Sequence, residues 1–126
     1  MADTLETYRT ITPYLVVPDA DSELKFLKTA FGGAELQCQR NEEKKVLHAE
    51  VKIGDSLIML GQAWGQFKAL EAALFVWVEN VDEVYSRALA AGAKSESAPE
   101  DKPYGHRQAG VLDQCGVTWW IGSPVK

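Results

Sequence analysis

Slid by 61 residues, the second half of this 126-residue chain falls onto the first. Val17 meets Val78, Asp19 meets Asn80, Asp21 meets Asp82 and Ala30 meets Ala91, while near the ends Leu60 meets Ile121 and Gly61 meets Gly122. Few positions are identical. What aligns is a strand, a helix and then two or three strands, twice over, with both helices and both closing strands in register. A duplication of this kind restricts the fold to one whose halves share a core, because each copy is too small to enclose a cavity alone.

In the first copy, residues 11–17 are rich in β-branched and aromatic side chains and precede a Pro18-Asp19 turn, which predicts a strand. Asp19 can accept the orphan amide hydrogens of the helix that follows. Leu24, Leu27, Ala30 and Phe31 recur at helical spacing, and Gly32-Gly33 ends the run. Residues 35–40 predict a short strand and 41–45 a polar turn. Residues 46–53 alternate, with Leu47, Ala49, Val51 and Ile53 on one face and His48, Glu50 and Lys52 on the other. Gly54-Asp55 signals a hairpin into a strand at 57–60. The second copy repeats the plan: a strand at 74–78, a helix capped by Asn80 with Glu83 three residues on, and closing strands at 107–112 and 117–121. Residues 94–103 form a polar, proline-containing stretch to which no strand is assigned. The expected organisation is one domain, with unit one at 8–61, a linker at 62–71 holding Trp64 and Phe67, and unit two at 72–123.

Composition narrows the function classes. A net charge of −5 argues against nucleic acid and anionic membrane surfaces as partners. The longest apolar run, residues 72–78, is far short of the ~20 residues that span a bilayer. Cys38 and Cys115 match no CxxC pattern, and no basic-then-apolar segment opens the chain, so the expected setting is a cytoplasm with reduced thiols. Dinucleotide, P-loop, GxSxG and HExxH motifs are missing.

Three stretches carry a family resemblance: residues 11–20 (ITPYLVVPDA), residues 48–60 (HAEVKIGDSLIML), and Tyr104-Gly105-His106-Arg107 with Val111-Leu112-Asp113 and residues 116–121 (GVTWWI). Together with the twofold βαβββ order, they make the chain similar to the vicinal oxygen chelate superfamily of glyoxalase I, extradiol dioxygenases and bleomycin- and fosfomycin-resistance proteins. More narrowly, it resembles the PhnB-like branch. The resemblance covers nearly the whole chain and is specific as to fold, not reaction. It implies an α+β fold: two tandem βαβββ units forming a cupped half-barrel sheet with helices on the outside and a ligand cavity within. It also implies a homodimer, often with the cavity built across subunits.

Enzymes of that superfamily hold a divalent ion with His or Gln on the first strand of a unit and Glu on the last. Those positions fall here on Thr12 and Met59 in unit one and on Ala73 and Trp120 in unit two. None is a good ligand, so no metal cofactor is expected at the family position. His48 and Glu50 share the polar face of their strand and admit three readings: a solvated polar face, a substrate-binding or acid–base pair, or part of a displaced metal site. His106 is a further acid–base candidate.

If the strand mapping holds, Tyr14, Phe75, Trp77 and Trp120 line the cup with His48 and Glu50, and Arg107 is the group suited to gripping an anion. Aromatic rings with few polar handles suit a planar or amphipathic small molecule. They also suit a cup simply plugged by its own side chains. The expected function is binding of an aromatic or amphipathic ligand without metal. The rivals are a metal-dependent lyase, isomerase or dioxygenase, and a cofactor-free enzyme using His48 with Glu50, or His106.

Overall fold

Pro13 has no amide hydrogen, and the first strand begins immediately after it. In the computed structural model, which describes residues 8–125, β1 spans Tyr14–Val17, shorter than the 11–17 its composition suggests. The Pro13 carbonyl still accepts from Met59 N at 2.9 Å, so the chain meets the sheet before joining it. Helix α1 (Ala20–Phe31) starts as expected, with the Asp19 side chain accepting from Ser22 N at 3.1 Å, and Gly32 ends it in a left-handed conformation at φ 67°. Strands β2 (Ala34–Arg40), β3 (Val46–Ile53) and β4 (Ser56–Gln62) complete a sheet in the order β1-β4-β3-β2, with β1 parallel to β4 and the other pairs antiparallel. The Gln62 side chain accepts from Ala20 N at 3.0 Å and ties the end of β4 to the start of α1.

Unit two repeats this with β5 (Ala72–Trp77), α2 (Val81–Ala90), β6 (Lys94–Asp101), β7 (His106–Leu112) and β8 (Val117–Pro124), in the order β5-β8-β7-β6. The 61-residue offset is preserved in the pairing itself. Tyr14 lies opposite Met59 and Phe75 opposite Trp120; Val16 lies opposite Gly61 and Trp77 opposite Gly122. In the third strand of each unit the offset becomes 60, because Ala49 faces Leu60 whereas Ala109 faces Ile121. The turn between β7 and β8 holds one residue more than the Gly54-Asp55 hairpin.

Three expectations need correction. Residues 94–101, whose polar composition predicts no strand, form β6. It is an outer strand with one hydrogen-bonded neighbour, where charged side chains are tolerated and favoured, and Pro99 falls in the register shift between Ser97 and Glu100. Leu47 does not share the buried face of β3. Arg40 pairs with Val46 and Gln39 with His48, so Leu47 is the extra residue of a bulge, turned out and 47% exposed while Val46 takes its place inside. The linker begins after Gln62 and is not free-standing: Ala63 N donates to Val17 O and Leu70 N to Val16 O, at 2.8 and 3.0 Å.

Each helix covers one face of its own sheet, α1 packs on α2, and one apolar cluster runs through both units. Leu15, Val17, Leu60, Trp119 and Ile121 lie in it. Phe31 bridges the units, its ring centroid 4.8 Å from that of Trp119. No helix among the described residues is long and apolar enough to cross a membrane.

Candidate functional site

The face of each sheet turned away from its helix carries the chemistry, because strand alternation sends every second side chain there. On the first sheet, Glu50 is the focus. It is only 4% exposed, and both carboxylate oxygens are engaged: Oε1 accepts from the Tyr8 hydroxyl at 2.6 Å, and Oε2 lies 2.7 Å from His48 Nε2. Burial by itself pushes this carboxyl up, but hydrogen bonds from Tyr8, His48 and Gln37 outweigh it and hold the group below its ordinary value. Tyr14 stands beside the pair, its ring centroid 5.7 Å from the imidazole. Its ring leans over Gly61, where a Cβ would come within 3.0 Å of the Tyr14 hydroxyl. A hollow of about 340 Å³ opens here between Tyr14, Leu47, Gly61, Trp64 and Phe67.

The second sheet carries rings instead. Phe75 and Trp77 lie 4.5 Å apart, and His106 meets Trp77, Phe75 and Tyr104 edge-on at 5.1, 5.7 and 4.7 Å. His106 Nε2 is 3.0 Å from Gln108 Oε1. Two glycines make room: a Cβ on Gly122 would fall 2.5 Å from Phe75 Cζ, and one on Gly110 would fall 2.4 Å from Trp120 Cζ3. The rings therefore lie down on the sheet.

Of the residues singled out from sequence, Tyr14, His48 and Glu50 come together on the first sheet, and Phe75, Trp77 and His106 on the second, with Trp120 beside Phe75 in the strand register. Arg107 stands apart. It alternates with His106 along β7, and its guanidinium is bound by Asp82 (2.9 and 2.9 Å) and Asp101 (3.1 Å), so carboxylates of this chain already fill the anion grip expected of it. At the four family metal positions the donor set does not fit a hard or borderline cation. Met59, Ala73 and Trp120 offer no suitable oxygen or nitrogen, and the Thr12 hydroxyl donates to Arg9 O at 3.1 Å.

A third cluster escaped the sequence reading. Glu23 on α1, Asp113 in the turn before β8 and Cys115 are all buried, with potential ligand atoms within 4.8 Å of one another. Asp113 is already committed: Oδ1 accepts from Cys115 N and Val117 N, and Oδ2 from Trp119 Nε1, at 2.9, 3.0 and 2.9 Å. Burial, then the hydrogen bond and charge of Asp113, push Glu23 up to about 9. Burial and the same carboxylates push the Cys115 thiol up to about 12, which makes it inert. The signal for Glu23 was its place on the apolar stripe between Ala20 and Leu27.

Comparison with known proteins fits this architecture. An uncharacterized protein of Mycobacterium bovis is 32% identical over 127 residues, covering 92% of this chain and 84% of that one. The crystal structure of TioX from Micromonospora sp. ML1 superposes with a TM-score of 0.79 at 27% identity, over 93% of this chain and 99% of that one. A PhnB protein from Bacillus cereus shares the fold at 20% identity and a TM-score of 0.72, covering 91% and 99%. Residues 8–121 match the family described as Glyoxalase/Bleomycin resistance protein/Dioxygenase superfamily, and the chain belongs to that superfamily.

Proposed function

We propose that this protein binds a planar aromatic or amphipathic small molecule on the helix-free faces of its sheets, as a homodimer and without a metal cofactor. The observation that carries this reading is Trp77: 58% exposed, yet held 4.5 Å from Phe75 and 5.1 Å from His106. A large ring fixed in place and open to solvent stacks on a flat ligand at little entropic cost. Phe75 and Trp120 extend that surface, and Tyr14, His48 and Glu50 supply polar contacts on the other sheet. In a dimer, the aromatic face of one chain and the polar face of its partner would close on the ligand from two sides. Arg107 has no part in this reading, and neither nucleic acid nor a membrane surface is a partner in it.

Tryptophan quenching by a planar cation (ethidium) and a planar anion (9-anthracenecarboxylate) tests it. Saturable quenching at micromolar concentration that is lost in Trp77→Ala or Trp120→Ala supports the reading. Equal binding by both variants overturns it. Metal analysis of protein prepared without chelators or a His tag tests the other clause: one equivalent of a transition metal per chain, lost in His48→Ala, defeats it.

A further inference from the structure

His48 Nε2 sits 2.7 Å from a buried carboxylate whose other oxygen is filled by Tyr8. An ionised carboxylate only accepts hydrogen bonds, so Nε2 carries the hydrogen, and the bare nitrogen of the neutral ring is Nδ1. The imidazole is not sealed in, since its side chain is 28% exposed. Tyr14, whose ring centroid lies 5.7 Å from the imidazole, walls the 340 Å³ hollow together with Trp64 and Phe67, so His48 reaches it past that ring. Among the described residues, the titratable groups that face His48 are Glu50, itself held by Tyr8, and Tyr14; its strand neighbour Gln39 carries none. Unit two shows that the fold does not need this pair. With the 60-residue offset, His48 and Glu50 correspond to Gln108 and Gly110, which do not titrate.

We propose that the hollow of unit one takes a planar ligand bearing a weakly acidic O–H or N–H, such as a phenol or heteroaromatic N–H, and that His48 removes that proton. The proton passes from the ligand oxygen or nitrogen to Nδ1, leaving a ligand anion and an imidazolium. Glu50 meets the imidazolium charge through Nε2–H, and the Tyr8 hydroxyl keeps Glu50 in place. This rests on the small-molecule reading above and adds chemistry to it.

The probe is 4-nitrophenol, with 4-nitroanisole as the isostere that has no acidic proton. At a pH where the free phenol is mostly neutral, the wild-type chain raises the visible phenolate band several-fold and saturably, while tryptophan quenching reports binding independently. His48→Gln is expected to keep the quenching and lose the band, and Glu50→Gln to weaken the band. On the wild-type chain, the ¹⁵N resonance of His48 Nδ1 shifts to its protonated position with 4-nitrophenol and stays put with 4-nitroanisole. Quenching without a phenolate band, or a band unchanged in His48→Gln, overturns proton transfer and leaves the binding reading intact. No saturable quenching by either probe overturns both.

Discussion

The indole of Trp120 rests on Gly110, so close that a methyl group added there would stand 2.4 Å from Cζ3. Strand pairing sets the two side by side, and only a missing side chain lets the ring lie flat. Gly110→Ala therefore forces the indole off the sheet, and overpacking of this sort destabilises by about 1–3 kcal/mol. Urea unfolding of Gly110→Ala, Trp120→Ala and the double variant checks this. The double variant is expected to be more stable than the sum of the single losses, since truncating the indole removes the clash.

Glu23 predicts an unusual pH profile. Its ordinary value is 4.5, and the fold lifts it to about 9. Between those values the folded chain keeps a proton that the unfolded chain releases, so this group's contribution is full below pH 4.5 and declines as pH rises towards 9. Glu23→Gln stays neutral throughout. Relative to wild type, the variant should gain by up to about 1.4 kcal/mol per pH unit across that window. Glu50, Asp21 and Asp82 are held low and act in the opposite sense, but they are common to both chains and cancel in the difference. Urea midpoints for the two proteins at pH 5 and pH 8 read it out.

Asp113 couples to that behaviour. Its two oxygens serve the Cys115 and Val117 amides and the Trp119 indole N–H. Asp113→Ala strands three buried donors and should lose about 3 kcal/mol or more. Asp113→Asn removes the charge that helps keep Glu23 protonated, so ¹³C titration of the Glu23 carboxyl should find its midpoint lower than in the wild-type chain.

Much of this was legible in the sequence because the physics involved is local. Asp19 and Asn80 cap helices through their own side chains, and the repeated register of Tyr14 with Met59 and Phe75 with Trp120 follows from the 61-residue spacing. His48 and Glu50 share a face because strands alternate. What was hidden depends on partners distant in the chain. The bulge that turns Leu47 out is set by how Arg40 meets Val46 across β2 and β3. Strand β6 is polar because one of its edges has no strand beside it. Glu23 looked like one more helix acid until the turn at Asp113 closed over it, 90 residues later.

Arg107, expected to grip a ligand anion, is instead held by carboxylates of its own chain. Its guanidinium joins Asp82, in the first turn of α2, to Asp101 at the end of β6, and so clasps helix to sheet at the surface. Arg107→Ala should therefore leave the affinity for a planar aromatic probe within about twofold, well under the ~1.4 kcal/mol of a tenfold change. Its loss should appear in thermal stability, and the deficit should shrink at high salt because exposed ion pairs are screened. The guanidinium holds the Asp82 carboxyl below its usual range. A carboxyl lowered in the folded state stabilises above its unfolded value and loses that contribution as pH falls through its folded one. The deficit of Arg107→Ala is thus expected at pH 7 and should fade in acid, which calorimetry at pH 7 and pH 3 checks. A weakened affinity for 9-anthracenecarboxylate in the same variant would instead return Arg107 to the ligand.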